Sequence, residues 1–227
     1  MSRVEEICRR LSASIENPAS ELIHASEYEF LVAVVLSAQT TDVQVNKVTE
    51  KLFRRRRSMD DVLNLGLEGL QREIRSIGLY RNKAKNILAL TKMLKEKFNS
   101  IVPDSPEELE SLPGVGRKTA NVVLSNLFHK PAIAVDTHVL RLSKRLGLSD
   151  GKTPLKVEED LNAAIPADYK KDISNLLVLH GRYTCKAQRP KCSVCVLRDL
   201  CDATSRRSEV PHSSGVKTGG SHAKSHG

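Results

Sequence analysis

The sequence has no long apolar run and no tryptophan, and it contains few phenylalanine and tyrosine residues. Its longest uninterrupted apolar stretch covers only residues 30–36, whereas about 20 residues are needed to span a bilayer. A transmembrane helix is therefore not expected, and the charged amino terminus, with Arg3, Glu5 and Glu6, argues against a secretory signal. Aromatic residues make up 4% of the chain, but a hydrophobic content of 40% still suffices for a globular core.

Acidic residues are outnumbered by basic ones. The 36 Lys and Arg residues and 27 Asp and Glu residues give a formal net charge of +9 over 227 residues. Such an excess of positive charge favours a polyanionic partner, and nucleic acid is the first candidate. The chain length allows one large domain or two small ones.

Few segments show the two-residue alternation of strands, so the sequence predicts an all-α fold. Apolar residues at helical spacing predict one helix over about residues 81–99 and another over residues 173–180, which leads to a cysteine-rich loop. We interpret His180 in the second helix as a core residue. The apolar residues 30–36 show no period and fit either a buried helix or a buried strand.

Four of the five cysteines, Cys185, Cys192, Cys195 and Cys201, are separated by six, two and five residues. Disulfides would need an oxidising compartment, and a four-thiolate zinc site usually contains two Cys-x-x-Cys pairs, whereas this loop has one. A 4Fe-4S cluster takes one thiolate per iron and tolerates unequal spacings, so it is the favoured interpretation. Cys8 stands alone and is interpreted as a core residue.

The cysteine loop also carries Lys186, Arg189 and Lys191. These cations either offset the charge of the thiolates and are otherwise solvated, or they lie on a rigid loop that binds phosphates. The sequence leaves both interpretations open.

Residues 112–120 read Leu-Pro-Gly-Val-Gly-Arg-Lys-Thr-Ala, between a capped polar stretch and an apolar one, and predict a helix, a tight hairpin and a second helix. Gly114 and Gly116 would allow positive φ angles and close approach of another molecule. Unpaired N–H groups at the start of the second helix would bind an anion, and the adjacent Arg117 and Lys118 favour a phosphate over a plain interhelical turn.

Lys118 and Asp136 are the candidate catalytic residues. The helix dipole and partial burial would both disfavour the protonated amine of Lys118, which makes it either a nucleophile or a phosphate contact. Asp136 ends the apolar segment at residues 133–135 and precedes a predicted helix. It is therefore either an N-cap or a buried base that stabilises a cationic transition state.

Together, the hairpin, the Val-Asp-Thr-His segment at residues 135–138 and the four cysteines resemble the endonuclease III family of helix-hairpin-helix DNA glycosylases, over residues 1–202. The resemblance implies that Lys118 attacks C1′ of the deoxyribose, expels the base and forms a Schiff base from which β-elimination cleaves the strand. It implies that Asp136 assists, that the cysteines hold a 4Fe-4S cluster, and that the substrates are oxidised pyrimidines such as thymine glycol, and abasic sites, in double-stranded DNA.

The resemblance also implies a set of DNA contacts. Gln39 would fill the gap left by the flipped nucleotide, and Leu79 would wedge into the opposite strand. The remaining predicted contacts are Leu112, Gly114, Val115, Gly116, Arg117, His138, Lys186, Arg189 and Lys191. His138 either lines the active-site pocket or contacts a phosphate.

The family architecture implies a six-helix domain at residues 21–130 and a cluster domain made of residues 1–20 and 131–202, with the active site in the cleft between them. Residues 203–227 are rich in Ser, Gly, His, Lys and Arg and predict a disordered basic tail. We expect a monomer that contacts no membrane and acts on the nucleoid in a prokaryotic cytoplasm.

Two alternatives remain at this stage. A monofunctional mismatch glycosylase would keep the fold and the cluster, but those branches generally lack a lysine at the position of Lys118. A non-catalytic module would use the hairpin as a phosphate clamp and the cysteines as a structural zinc site. Iron content would separate this last alternative from the enzyme.

Overall fold

A computed structural model describes residues 1–55 and 58–203. These residues contain helices and no β-strand, so the predicted all-α class is confirmed. The predicted disordered tail lies, apart from Ala203, outside the described residues. None of the helices in the described part of the chain is both long and apolar enough to cross a bilayer.

The described residues form eleven α-helices and two short 3₁₀ turns. In chain order the helices are α1 (Arg3–Ser14), α2 (Glu27–Ser37), α3 (Asp42–Arg54), α4 (Met59–Asn64), α5 (Gly66–Glu73), α6 (Tyr80–Lys97), α7 (Pro106–Ser111), α8 (Arg117–Leu127), α9 (Thr137–Arg145), α10 (Pro154–Ala164) and α11 (Ala167–Tyr183). The 3₁₀ turns, Cys192–Val194 and Arg198–Leu200, lie in the cysteine loop.

Polar residues at the helix starts fix most of these boundaries. The side chains of Ser26, Thr41, Ser105 and Thr153 each accept a hydrogen bond from a backbone N–H of the first helical turn. Pro154 is the first residue of α10, where a proline leaves no additional N–H unpaired.

The first apolar core is built around α2, which packs against α3, α6 and α8. Phe30, Leu31 and Leu36 are fully buried, because the helix is surrounded by others on all sides. This explains why residues 30–36 show no helical period. The described residues from Glu27 to Leu127 form seven helices rather than the predicted six, since Leu65 alone separates α4 from α5.

The second apolar core combines residues of α1 with residues that follow the first core in the chain. Ile7 and Leu11 of α1 pack with residues of α9, α10 and α11, among them Leu142, Leu161 and Ile173. The buried residues of the first core fall between Leu22 and Leu124, and those of the second lie before and after that range. This separation supports the division into two domains at residues 20–21 and 130–131, which stays a prediction.

Candidate active site and DNA-binding surface

The predicted helix-hairpin-helix is formed by α7, the turn at residues 112–116 and α8. Leu112 and Val115 are buried in the first core, so their side chains anchor the hairpin and only their backbone can face DNA. Gly114 has φ +82°, and a Cβ atom there would lie 2.8 Å from the Asn86 Cβ and Nδ2 atoms. Only glycine fits this position without displacing Asn86.

Gly116 differs from the sequence prediction. Its φ of −105° is one that any residue adopts, and a Cβ atom there would meet no other atom within 4 Å. The positive φ predicted for Gly116 is therefore wrong, although its open surroundings do leave room for close approach. Gly116 is the N-cap of α8 and provides no side-chain hydrogen bond, so the first N–H groups of α8 remain available to an anion.

Lys118 is the second residue of α8, at the positive end of the helix dipole as predicted. Its side chain is exposed, so the expected partial burial is wrong. The exposure leaves the amine accessible to an incoming DNA strand.

Asp136 is the N-cap of α9. Its Oδ1 accepts hydrogen bonds from the backbone N–H groups of His138 and Val139, both at 2.8 Å. The N-cap interpretation is thus confirmed, and these two bonds hold the carboxylate in a fixed orientation. No hydrogen bond from the described residues reaches Oδ2, which leaves that oxygen available for a second partner.

Lys118 and Asp136 line the same cavity, whose volume is about 160 Å³. The cavity lies between the two apolar cores: Val34 and Val122 line it from the first, and Ala134 and Val178 line it from the α9–α11 side. The packing of the two cores therefore brings together a lysine and an aspartate that lie on different helices.

A polar network at the wall of this cavity was not found by sequence reasoning. The Arg182 guanidinium pairs with Asp42, with Nη1 2.6 Å from Oδ2, and with Glu21, which also accepts a hydrogen bond from the Tyr183 hydroxyl. Burial alone would raise the pKa of Glu21, but the hydrogen bonds from Tyr183 and Arg182 outweigh it and hold that pKa below its usual value. No spacing in the sequence marks these residues as neighbours.

Gln39 and Leu79 lie on two exposed turns near the cavity. Both have left-handed backbone conformations, with φ of 56° and 57°, which are unfavourable for residues with a Cβ atom. Leu79 is 60% exposed, so its side chain is accessible to a partner. Exposed apolar and amide side chains on rigid turns fit the predicted insertion into DNA.

Two predicted DNA contacts have protein partners in the structure. The Arg117 guanidinium forms a bidentate pair with Glu158 of α10, with distances of 2.9 and 3.0 Å, and this pair joins the two cores. His138 does not line the cavity; its Nδ1 lies 3.2 Å from the Arg141 guanidinium, against α11. The predicted pocket position of His138 is therefore wrong, and a phosphate contact by either residue stays a prediction.

The four cysteines of the carboxyl-terminal loop form no disulfide with any described residue, and together they line one small cavity of about 30 Å³. Its other walls include Leu142 and Leu146, which exclude water. Among the described residues no three His, Cys, Asp or Glu side chains converge as a single metal ion requires. Four cysteine sulfur atoms around one cavity suit a multi-iron cluster, because such a cluster fills the space between its ligands.

Polar groups from the neighbouring helices support this loop. Arg145 donates a hydrogen bond to the Cys185 Sγ at 3.3 Å and two more to backbone carbonyls of the loop, and the His180 Nε2 lies 3.4 Å from the Cys195 Sγ. Burial, followed by the neighbouring thiols, raises the pKa of Cys195. The predicted phosphate contacts Lys186, Arg189 and Lys191 are all exposed on this loop.

Comparisons with known proteins agree with this geometry. Residues 32–167 match the HhH-GPD superfamily of base excision DNA repair proteins, and residues 185–201, which include all four cysteines, match the iron-sulfur binding domain of endonuclease III. The iron-sulfur interpretation of the cysteines is thereby confirmed over disulfides and zinc.

Whole-chain relatives extend the similarity. The chain is 48% identical to endonuclease III of Escherichia coli, over 87% of this chain and 93% of the relative, and 47% identical to that of Bacillus subtilis, over 91% and 95%. A solved structure of a trapped covalent intermediate between endonuclease III and DNA superposes with a TM-score of 0.83 at 48% identity, covering 88% of this chain and 95% of that one. The chain therefore belongs to the HhH-GPD superfamily of base excision DNA repair proteins and, within it, to the endonuclease III family.

Proposed function

We propose that this protein is a bifunctional DNA glycosylase and abasic-site lyase of base excision repair, which removes oxidised pyrimidines from double-stranded DNA. The observation that carries the proposal is the shared cavity of Lys118 and Asp136 at the junction of the two cores. A primary amine and a carboxylate are the two groups that glycosylase chemistry through a Schiff base needs.

Lys118 is the nucleophile. The nitrogen lone pair of the Lys118 side chain forms a bond to C1′ of the deoxyribose while the bond from C1′ to the base breaks, and the base leaves with that electron pair and takes up a proton. Asp136 accepts a proton from the attached nitrogen and returns it to O4′ as the bond from C1′ to O4′ breaks, so that the sugar ring opens and an imine joins Lys118 to C1′. This imine acidifies the C2′ proton. Removal of this proton expels the 3′ phosphate and cleaves the strand.

Asp136 assists both steps. Its carboxylate, oriented by the two backbone N–H groups bonded to Oδ1, stabilises the positive charge that develops on the sugar as the base departs. Its Oδ2, which no described residue engages, is the oxygen that we assign to proton transfer at the Lys118 amine.

DNA binding is assigned to three exposed elements. The free N–H groups of α8 contact a backbone phosphate, Gln39 and Leu79 insert into the duplex, and the cations of the cysteine loop contact further phosphates. Because the charge of the whole chain is +9, a polyanion is attracted to it at long range. We further propose a monomer in the bacterial cytoplasm, where the chromosome lies; the relatives described above are bacterial.

Cys185, Cys192, Cys195 and Cys201 would hold the 4Fe-4S cluster. When bound, the cluster supplies four iron–sulfur bonds that tie distant points of the loop to one rigid centre. The loop, so fixed, presents Lys186, Arg189 and Lys191 to the DNA backbone.

Borohydride trapping tests the proposal directly. A duplex with one thymine glycol is incubated with the protein and borohydride, which reduces a Schiff base to a stable amine. A covalent adduct of protein and DNA is expected. Base release without an adduct would instead indicate a monofunctional glycosylase. If the protein gives neither an adduct nor released base, the proposed function is contradicted.

Replacement of Asp136 by Asn tests the second catalytic residue. The amide keeps an oxygen that can cap α9, so we expect a fold as stable as that of the wild type within about 1 kcal/mol. Loss of the negative charge should slow base release by about 10²-fold while duplex affinity changes little. Single-turnover base release and a thermal melt measure the two quantities. An unaltered release rate would leave Asp136 as an N-cap alone.

A further inference from the structure

Lys83, on the first turn of α6, is a buried lysine to which the proposed chemistry assigns no role. It is 5% exposed, and its Nζ donates hydrogen bonds to the Leu36 carbonyl at 2.8 Å, to the Ala38 carbonyl at 2.5 Å and to the Thr40 hydroxyl at 3.4 Å. These acceptors lie at the carboxyl end of α2 and in the turn that follows. A buried amine is costly to desolvate, and three well-placed acceptors offset that cost.

The position of Lys83 is favourable both for its ammonium group and for the carbonyl groups at the end of α2. The last carbonyls of a helix have no partner within the helix and form the negative end of its dipole, so an ammonium group there is stabilising. The turn that Lys83 holds in this way contains Gln39. Lys83 therefore fixes the residue proposed to fill the gap left by the flipped nucleotide.

The backbone of Lys83 contacts the other inserting turn. Its N–H donates to the Leu79 carbonyl at 3.1 Å and so closes the turn at the start of α6. The two turns also touch each other: a Cβ atom on Gly78 would lie 3.6 Å from the Gln39 carbonyl oxygen, and the Gln44 Nε2 donates to the Ser76 hydroxyl at 2.8 Å. The Lys83 side chain thus binds the Gln39 turn from the helix that begins at the Leu79 turn, and the contact between Gln44 and Ser76 lies beside it.

Backbone strain supports the same conclusion. Gln39 and Leu79 both have positive φ angles, a conformation that persists in residues with a Cβ atom only where the surroundings impose it. The Lys83 side chain provides such a constraint for the Gln39 turn, whereas the first backbone hydrogen bonds of α6 constrain the Leu79 turn. Without these contacts each turn would relax toward more favourable angles and move its side chain.

We propose that Lys83 is a positioning residue whose side chain holds the Gln39 turn in place against the Leu79 turn, so that the Gln39 side chain enters the duplex beside that of Leu79. The inference rests on the proposed function, because it assumes that the protein flips a base. It assigns to Lys83 no contact with the substrate. Its effect on base release is transmitted through Gln39.

The test compares Lys83→Met with Lys92→Met. Methionine keeps most of the apolar stem of the side chain and removes the ammonium group, with its hydrogen-bond donors and its charge. Lys92 lies on the exposed face of the same helix, so its replacement controls for loss of one positive charge. We expect Lys83→Met to slow base release from a thymine glycol duplex by about 10- to 10²-fold, as misplacement of about 1 Å does elsewhere, and Lys92→Met to leave it unchanged.

A double-mutant cycle with Gln39→Ala separates positioning from general destabilisation. If Lys83 acts through Gln39, Lys83→Met should slow the Gln39→Ala protein by no more than about threefold. Equal slowing in both backgrounds would overturn the proposal, and so would an unchanged rate for Lys83→Met alone. Wild-type protein that releases no base would instead overturn the proposed function, which the inference requires.

A thermal melt shows whether the Lys83→Met variant is folded. If this variant does not melt cooperatively, Ser76→Ala provides the second test. Ser76 is exposed, so its replacement removes the hydrogen bond between the Leu79 turn and Gln44 of α3, the helix that follows the Gln39 turn, without disturbing the core. We expect base release to slow by about threefold, the value of one hydrogen bond, and this effect also to disappear in the Gln39→Ala background. No effect of Ser76→Ala would overturn the idea that the Gln39 turn is held against the Leu79 turn.

Discussion

Replacement of Lys118 by Ala is expected to abolish borohydride trapping and to slow strand cleavage at an abasic site by at least about 10⁴-fold, as removal of a nucleophile does in other covalent enzymes. Alanine has a higher helix propensity than lysine, and the Lys118 side chain is exposed, so α8 should remain intact. The measurement is single-turnover cleavage of a duplex with one abasic site, together with the yield of covalent adduct.

Duplex affinity separates loss of the nucleophile from loss of a charge. Lys118 is one of several exposed cations at the DNA-binding surface, so its removal should weaken binding by about 10-fold or less. Lys92→Ala, which removes an exposed lysine outside that surface, should affect neither cleavage nor trapping. Lyase activity retained by Lys118→Ala would show that another amine is the nucleophile.

Replacement of Cys195 by Ala is expected to remove the iron-sulfur cluster. Cys195 is half-buried, packs against the second apolar core and contacts His180. With one of four thiolates missing, the loop should lose its iron and its yellow-brown absorbance. Iron and sulfide analysis of the purified protein, with its visible spectrum, measures the loss.

The same variant should bind duplex DNA about 10-fold or more weakly, because Lys186, Arg189 and Lys191 would no longer be held in one arrangement. A thermal melt should show destabilisation as well, since Leu197 is fully buried and Leu200 is half-buried against the second core, and both lie between Cys195 and Cys201 in the loop.

Cys8 provides a matched control. It is fully buried in the second core on α1 and does not belong to the cysteine loop, and burial raises the pKa of its thiol to about 11. Cys8→Ala should keep the full iron content and lose about 1 kcal/mol of stability through the smaller side chain. Loss of iron from both variants alike would mean that the cluster depends on the core as a whole, and not on Cys195 as a ligand.

The sequence determined the features that depend on residues close together in the chain. The helix over residues 81–99, the hairpin with Gly114 and the spacing of the four cysteines each follow from local geometry: the period of a helix, a positive φ angle, and the reach of a loop around one centre. Residues 30–36 could not be assigned from the sequence, because a helix buried on all sides has no polar face to reveal its period.

The tertiary structure decided how distant residues meet. Lys118 and Asp136 share a cavity only because the two apolar cores pack against each other, and Arg182 meets Asp42 and Glu21 at the wall of the same cavity. Lys83 reaches the end of α2 across the first core, which no pattern in the sequence indicates. These contacts join segments that are far apart in the chain, and their geometry depends on the free energy of packing two cores, to which all buried residues contribute together.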